Sequence, residues 1–196
     1  DAIARLVADE AARRGAAIEI VRTGSRGMLW LEPLVEVQTA HGRIAYGPVC
    51  ARDVASLFDA DFLSGGAHAL AQGVVADMDW MRRQERVTFA RVGVVDPLSL
   101  DDYRAHGGLK GLERALQASG AEIVEAVRAS GLRGRGGAGF PAGVKWKTVL
   151  DAPAAQKYVV CNADEGDSGT FADRMLMEGD PFLLIEGMAI AGLAVG

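Results

Sequence analysis

The stretch Gly131-Leu-Arg-Gly-Arg-Gly-Gly-Ala-Gly-Phe-Pro-Ala-Gly-Val-Lys-Trp146 places six glycines and three cations in one short segment. Glycine lets backbone N–H groups approach an anion with no Cβ atom in the way, and Arg133, Arg135 and Lys145 can balance its charge. A flexible linker is the alternative, but linkers rarely contain large aromatic side chains, and this stretch has two. The stretch therefore predicts a phosphate-binding loop, with a nucleotide or a flavin as the first candidate ligand.

The glycine spacing alone does not make this loop a Rossmann fingerprint. Gly134-x-Gly136-x-x-Gly139 has the right spacing, but that fingerprint must follow a strand and open a helix. Residues 121–130 instead repeat apolar side chains with helical spacing, and Gly131 stands where a left-handed C-cap is expected. Because the loop follows a helix, a standard Rossmann domain is disfavoured.

A second, acidic loop follows the glycine stretch. Residues 157–161 read as a strand that delivers Asn162-Ala-Asp164-Glu165-Gly-Asp167 at its C-terminal end, where ligands of α/β sheets bind. Carboxylates repel phosphate, so we expect them to accept hydrogen bonds from ribose or ribityl hydroxyls. Asn162 suits the edge of a flavin ring because it can donate and accept. Phe140 could stack on a planar heterocycle or anchor the core, and the residues leave both roles open.

Composition limits the class of protein. The chain has 196 residues, 49% of them hydrophobic and 24% charged, which is enough for one large or two small cores. The net charge of −5 argues against a nucleic-acid partner. Cys50 and Cys161 are too few for a disulfide framework or a self-contained metal site. With no signal region and no membrane-length apolar run, the sequence predicts a cytoplasmic protein without a membrane span.

Two halves can be distinguished, and we expect a domain at residues 1–90, a linker at 91–108 and a second domain at 109–196. In the first half, patterning predicts a helix at 2–14, a strand at 17–21, a hairpin with strands at 34–39 and 43–46, and a short helix at 53–58. The basic cluster of Arg82, Arg83 and Arg86 is expected to be a solvated face.

The second half is expected to be richer in helices. Patterning predicts an N-capped helix start at Ser99, helices at 109–117, 121–130 and 144–150, and a final helix that starts at Asp180-Pro181. The final segment is nearly all apolar after Glu186 and ends in mid-run. Since an apolar helix needs a covering layer, we expect the protein to continue beyond Gly196.

Three other patterns are weaker. Gly166-Asp167-Ser168-Gly169 matches the nucleophile segment of trypsin-like proteases, but those enzymes need a His and an Asp on a double β-barrel. The acidic loop lacks the alternating spacing of a calcium loop. His41, His68 and His106 lie near predicted turns without partner spacing and are interpreted as surface residues. The sequence thus predicts no catalytic side chain and no metal ligand.

Taken together and in this order, the two loops resemble those of the NADH-binding flavoprotein subunit of respiratory complex I and its soluble relatives. The resemblance is carried by the glycine stretch, by Cys161-Asn-Ala-Asp-Glu-Gly166 and by Gly169-Thr-Phe-x-Asp-Arg174. In that family the two loops hold FMN, and NAD(H) stacks over the flavin for hydride transfer. The implied cofactor-binding residues are Gly134, Arg135, Gly136, Gly137, Gly139, Phe140, Lys145, Asn162, Asp164, Glu165 and Asp167.

The resemblance also assigns roles within this set. Gly134, Gly136, Lys145, Asn162 and Asp164 would contact FMN. Phe140, Lys145 and Asp167 would face the nicotinamide nucleotide, and the complex I subunits usually carry Glu at the position of Asp167.

The first half resembles the thioredoxin-like ferredoxin domain that accompanies this flavoprotein. The segment Thr23-Gly-Ser-Arg-Gly-Met-Leu29 aligns with the part that normally carries a Cys-x-x-x-Cys pair, and here Ser25 and Leu29 occupy those positions. Without thiolates this half cannot hold a [2Fe–2S] cluster in the usual way, and Cys50 is interpreted as structural. The resemblance thus implies a cluster-less, α+β thioredoxin-like domain followed by the start of an α/β, non-standard Rossmann-like FMN- and NADH-binding domain.

A cluster-less domain fused to this flavoprotein is similar to the β subunit of soluble, molybdenum-containing, NAD-dependent formate dehydrogenases. That resemblance implies a diaphorase module that passes a hydride between NAD(H) and FMN and single electrons to iron–sulfur centres. It further implies a [4Fe–4S] cluster in the part beyond Gly196, a ferredoxin-like [2Fe–2S] partner subunit, and a catalytic partner subunit with a molybdenum cofactor. The same module of an NAD-linked hydrogenase or of complex I, or a fragment that only docks subunits, are the alternatives.

Overall fold

The computed structural model describes residues 2–196, and its contacts divide the chain into two compact units, Asp1–Ala90 and Arg91–Gly196. The elements of the first unit are α1 (Ala2–Arg14), β1 (Val35–Thr39), β2 (Gly42–Tyr46), α2 (Val54–Asp59), β3 (Ala71–Val74) and α3 (Asp79–Arg82). Those of the second unit are α4 (Leu100–Ala105), α5 (Lys110–Ala115), α6 (Gly120–Ala129), α7 (Ala142–Asp151), α8 (Ala172–Gly179) and α9 (Pro181–Val195).

A three-stranded antiparallel sheet in the order β1-β2-β3 organises the first unit. The predicted hairpin is confirmed, with Thr39 paired to Gly42 at the turn, where Gly42 has a φ of +109°. The predicted helices over α1 and α2 are also confirmed. β3 was not predicted because it is short, largely exposed and interrupted by Gly73. This sheet does not by itself define a thioredoxin-like fold, which stays a prediction.

The core of the first unit joins side chains from α1, the end of β2, α2 and the turn that follows. Its buried members are Val7, Tyr46, Val49, Val54, Leu57 and Phe62. The ring of Tyr46 meets that of Phe62 edge-on at 5.7 Å, and its hydroxyl donates to the carbonyl of Gly66 at 2.8 Å. The phenol is therefore buried with its polar atom paired, as burial of a hydroxyl requires.

Two expectations for the first unit are wrong. Residues 17–21 form no strand, and Ile20 and Val21 stay exposed, because an apolar run without a neighbouring strand has no ladder to join. Arg82 and Arg83 are exposed as predicted, but Arg86 is partly buried. Its guanidinium donates to the carbonyl oxygens of Phe89 and Arg26. Burial lowers the pKa of Arg86.

All the regular secondary-structure elements that the structure defines in the second unit are helices. The predicted strand at residues 157–161 is not formed: Tyr158 and Val160 are 78% and 83% exposed, and the structure defines no strand within residues 91–196 for them to pair with. The strand prediction is therefore wrong, and the α/β, Rossmann-like architecture of this domain stays a prediction. A strand needs a second strand, and local patterning does not reveal whether one is present.

Helix ends in the second unit follow local signals. Ser99 caps α4 by accepting a hydrogen bond from the backbone of Asp102 at 3.1 Å, and Gly131 ends α6 with a φ of +70°. Pro181 stands in the first turn of α9. These three predictions are confirmed, and the other predicted helices of this unit are present with bounds shifted by a few residues.

The long helix α9 packs against α5, α6, α7 and α8. The buried cluster between these helices contains Ala115, Ile123, Val124, Ala194 and Val195, with Trp146, Leu150 and Ile190 against it. At one point α7 approaches α6 so closely that a Cβ atom on Gly143 would lie 2.6 Å from the Cα atom of Arg128. None of the helices in residues 2–196 has the length and apolar character needed to cross a bilayer.

The one charged residue of α9, Glu186, is buried and joins three parts of the second unit. Its carboxylate accepts hydrogen bonds from the hydroxyl of Tyr103 and from the backbone N–H groups of Leu109 and Leu112, the latter two at 2.9 Å. Burial acts to raise the pKa of Glu186, but these hydrogen bonds together lower it. The carboxylate thus stays ionised at the N-terminal end of α5, where negative charge is favourable.

A second buried carboxylate lies at the start of α9. Asp180 is 1% exposed, and its Oδ2 atom pairs with Nε of Arg91 at 2.8 Å. The same guanidinium lies over the ring of Tyr103, 4.6 Å from its centroid. Burial raises the pKa of Asp180, against the opposing effect of Arg91.

Candidate functional site

The glycine loop is closed at its base by backbone hydrogen bonds. The N–H of Gly134 donates to the carbonyl of Phe140 at 2.9 Å, and the N–H of Ala142 donates to the carbonyl of Leu132 at 2.8 Å. We call these two bonds the neck of the loop. Because α7 begins at Ala142, the neck fixes where the loop ends and the helix starts.

The tip of the loop, residues 135–139, leaves room around its glycines. Gly137 and Gly139 have φ values of +108° and +61°, a region that disfavours other residues. Gly136 lies outside that region, and a Cβ atom built on it would meet nothing within 4 Å. The protein itself therefore does not require glycine at position 136, whereas a ligand that approaches this backbone would.

The three cations of the loop differ in their surroundings. Arg133 turns inward and donates to the carbonyl of Gly139 at 3.0 Å. The ammonium of Lys145 lies 5.7 Å from the centroid of the Phe140 ring, which is 48% exposed. Arg135 is exposed and makes no hydrogen bond or ion pair to residues 2–196. Arg135 is thus available to an anion, and Phe140 offers an open face with a cation beside it.

In the acidic loop, residues 162–167, Asn162 has a defined orientation. Its Oδ1 atom accepts a hydrogen bond from the N–H of Asp164 at 3.1 Å, so its amide NH₂ group remains as a donor. The carboxylates of Asp164 and Asp167 are exposed and have no partner in the part of the chain that the structure describes. The loop therefore offers one donor group and two free acceptors.

The third carboxylate of the acidic loop is already engaged. Glu165 accepts hydrogen bonds from the backbone N–H groups of Ala172, Asp173 and Arg174 at 2.7, 3.2 and 3.3 Å. These are the first three residues of α8, so the side chain caps that helix from outside. Sequence reasoning missed this role because Glu165 stands seven residues before the helix, beyond the usual capping position.

Each loop is organised within itself. Among residues 2–196, no hydrogen bond or ion pair joins the glycine loop to the acidic loop. The described residues also contain no group of three or more His, Cys, Asp or Glu side chains that could hold a metal ion. An open apolar groove lies beside residues 156–159, which precede the acidic loop. It is lined among others by Lys157, Val159, Ile185 and Met188, and none of the predicted site residues lines it.

In the first unit, the positions aligned with cluster ligands carry other chemistry. The hydroxyl of Ser25 donates to Glu32 at 2.5 Å, and Leu29 is 56% exposed. The thiol and the N–H of Cys50 both donate to the carboxylate of Asp53, at 2.7 and 2.8 Å, just before α2. The thiol hydrogen bond and the backbone hydrogen bond lower the pKa of Asp53.

Comparison with known proteins relates the second unit to flavoprotein subunits. Residues 127–196 match the family model of the Nuo51 FMN-binding domain. The HndC subunit of the NADP-reducing hydrogenase of Solidesulfovibrio fructosivorans is 52% identical over 115 residues, which are 59% of this chain and 23% of that protein. One subunit of the NADH-quinone oxidoreductase of Aquifex aeolicus is 52% identical over 98 residues, which are 50% of this chain and 23% of that protein.

A third relative is the alpha subunit of the NAD-reducing hydrogenase HoxS of Cupriavidus necator, 48% identical over 85 residues, 43% of this chain and 14% of that protein. The chain thus spans about a quarter or less of the length of these relatives. The coarse expectation of a flavoprotein related to complex I and to NAD-linked hydrogenases is confirmed for residues 127–196.

Proposed function

We propose that this chain provides part of a diaphorase module that transfers a hydride between NAD(H) and FMN and passes electrons on to iron–sulfur centres. The observation that carries this proposal is the match of residues 127–196, which include both loops, to an FMN-binding domain. The open space around Gly136 supports it, because close approach of a phosphate is a physical reason for glycine there. Flavin, when bound, accepts two electrons as a hydride and releases them singly.

In this proposal the glycine loop binds the phosphate of FMN. Exposed N–H groups at the tip and the unpaired guanidinium of Arg135 supply the donors. The tip glycines assigned to this contact are Gly136, Gly137 and Gly139. Gly134, which is also assigned to FMN, closes the neck with its own N–H. The loop lacks a carboxylate, which suits an anionic ligand.

The acidic loop binds the uncharged parts of the same cofactor. The NH₂ group of Asn162 donates to acceptors on the flavin ring, and the carboxylate of Asp164 accepts hydrogen bonds from ribityl hydroxyls. Lys145 contacts FMN and, with Phe140 and Asp167, also faces the nicotinamide nucleotide. The exposed ring of Phe140 is the stacking surface. None of these side chains gives or takes a proton in the hydride transfer, so the proposal assigns no catalytic residue.

We further propose that the parent enzyme is a molybdenum-containing, NAD-dependent formate dehydrogenase of the cytoplasm, of which this chain is part of the β subunit. The support is the fused first unit without cluster ligands at Ser25 and Leu29, together with two free cysteines, which suit a reducing compartment. In this assignment a [2Fe–2S] ferredoxin-like subunit and a molybdenum-containing subunit are partners, and the flavoprotein itself carries a [4Fe–4S] cluster. An NAD-linked hydrogenase or complex I would have different partners.

Copurified subunits and metal analysis separate these parents. Molybdenum and NAD-dependent formate oxidation in the purified complex support the formate dehydrogenase. Nickel with hydrogen oxidation, or a quinone-reducing assembly with neither metal, would instead identify a hydrogenase or complex I.

A second candidate function is subunit docking without flavin chemistry. The observation that favours it is a pair of half-exposed tryptophans in the first unit, Trp30 and Trp80, whose rings meet edge-on at 5.1 Å beside the exposed Leu29. Exposed tryptophans are enriched at the energetic centres of interfaces. A preparation that binds a partner subunit but retains no flavin and reduces no dye would favour this function.

The direct test of the flavin site is Lys145→Ala, with Lys147→Ala as the matched control. Lys147 is on the same helix but is exposed and pairs with Asp151 at the surface. We expect Lys145→Ala to lower FMN content or the rate of NADH-dependent dye reduction, and Lys147→Ala to leave both unchanged. Equal flavin content and rate in the two variants would contradict the assignment.

A further inference from the structure

Two charged side chains hold the ends of the acidic segment, which we define as residues 157–165. The ammonium of Lys157 donates to the carbonyl of Leu150 in the last turn of α7 at 2.9 Å and to that of Val195 at the end of α9 at 2.7 Å. At the other end, Glu165 accepts the first three N–H groups of α8. A cation at C-terminal carbonyls and an anion at N-terminal N–H groups are both favoured by the helix dipoles.

Between these two anchors the segment has little other support. Residues 158–164 are exposed and belong to no helix or strand. The turn between Asn162 and Asp164 is local and fixes only their positions relative to each other. The placement of both residues in the second unit therefore depends on Lys157 and Glu165.

We propose that Lys157 and Glu165 are positioning residues of the flavin site, which hold Asn162 and Asp164 in place without touching the flavin. This inference rests on the flavin site proposed above. The two oxygen atoms of Glu165 already serve three N–H groups, so a ligand hydroxyl would compete with the helix for them. Of the three carboxylates in the acidic loop, Asp164 and Asp167 remain for ligands.

The capping role is tested in the intact protein after its flavin has been removed. Amide hydrogen exchange of the first turn of α8 should become about tenfold faster in Glu165→Ala, as expected for the loss of a helix cap. Glu165→Gln keeps an acceptor oxygen and should restore most of the protection. The control is Glu178→Ala, which removes an exposed carboxylate from the same helix. Unchanged exchange in Glu165→Ala would overturn the inference, since a residue that only binds flavin leaves the flavin-free protein unaffected.

The positioning role is tested by FMN affinity, measured through the quenching of flavin fluorescence. We expect Glu165→Ala to raise the dissociation constant about tenfold and Glu165→Gln to restore it in large part. In an Asn162→Ala, Asp164→Ala background, Glu165→Ala should have a much smaller further effect, because residues that act through one another are not additive. Fully additive losses would mean that Glu165 binds the flavin directly and would overturn the inference.

The other anchor is tested in the same way. Lys157→Met should weaken FMN binding, and Lys157→Arg, which can still donate to both carbonyls, should restore it. Lys147→Met is the control for loss of a surface lysine from the neighbouring helix. If the wild-type protein itself does not bind FMN, the proposed function fails and the positioning role with it, while the exchange measurement still decides whether Glu165 caps α8.

Discussion

Replacing Glu186 should destabilise the second unit by far more than replacing an exposed glutamate. In Glu186→Ala, three donors lose their acceptor: the hydroxyl of Tyr103, which is fully buried, and the half-buried N–H groups of Leu109 and Leu112. A buried donor left without a partner costs about 1–3 kcal/mol. Water can reach the two backbone groups, so we take the low end for each and expect a loss of about 3–4 kcal/mol. Glu186→Gln keeps one acceptor oxygen and should lose about half as much.

The measurement is urea unfolding followed by the fluorescence of Trp146. The other two tryptophans, Trp30 and Trp80, belong to the first unit, so a Trp30→Phe, Trp80→Phe background restricts the signal to the second unit. Trp146 packs against the helical core and should report its loss. The free energy of unfolding is then compared between variants in this background.

The control is Glu178→Ala, whose carboxylate is exposed and pairs with Arg174 on the same helix. Such a pair contributes about 0.3–0.5 kcal/mol. A loss below about 1 kcal/mol in Glu186→Ala, or a loss equal to that of the control, would refute the view that one carboxylate joins α4, α5 and α9.

Two further predictions concern close packing and acid stability. Gly143→Ala would place a Cβ atom 2.6 Å from the backbone of α6 and should reduce the free energy of unfolding by about 1–3 kcal/mol. Gly187→Ala is the control, because a Cβ atom there would meet nothing within 4 Å, and it should be neutral or stabilising. Similar urea unfolding midpoints for the two variants would contradict the packing argument. Hydrogen bonds from Arg13, and to a smaller extent from Arg14, lower the pKa of Glu10 to about 2. The contribution of the Glu10 carboxylate to folding stability should therefore be present at neutral pH and be lost as pH falls from about 4.3 toward 2. Carboxyl NMR titration checks this pKa directly, and an ordinary value would show that the two arginines do not hold the carboxylate in solution.

The features that sequence reasoning predicted correctly are those with local causes. Ser99 caps its own helix, Gly131 ends α6 with a positive φ, and Pro181 starts α9, and each depends on residues within one turn. The hairpin is equally local because its two strands are adjacent in sequence. Hydrophobic spacing and caps are sufficient for such elements.

The features that sequence reasoning missed depend on partners that are distant in the chain. Residues 157–161 have the composition of a strand, but composition does not say which strand lies beside it. Arg86 belongs to a basic cluster in sequence, yet it turns toward backbone carbonyls of its own unit. Glu186 was visible as the single charge of an apolar helix, but its partners lie 74 to 83 residues earlier in the chain.

The candidate site shows the same division. The residue types of both loops follow from ligand chemistry, and the free groups of Arg135, Asp164 and Asp167 agree with a binding role. The sequence could not show that Glu165 is engaged by α8, because its three acceptor contacts depend on how the chain turns between residues 165 and 172.

The neck of the glycine loop limits where residues can be inserted into the loop. Each residue of an α-helix turns the next side chain by about 100°, so one residue inserted between the neck and Lys145 would rotate the ammonium away from the ring of Phe140. An insertion at the tip, residues 135–139, would leave both hydrogen bonds and this pair where they are. The loop can therefore change its length to suit ligands of different size at the tip alone, while the aromatic face and its cation keep their spacing.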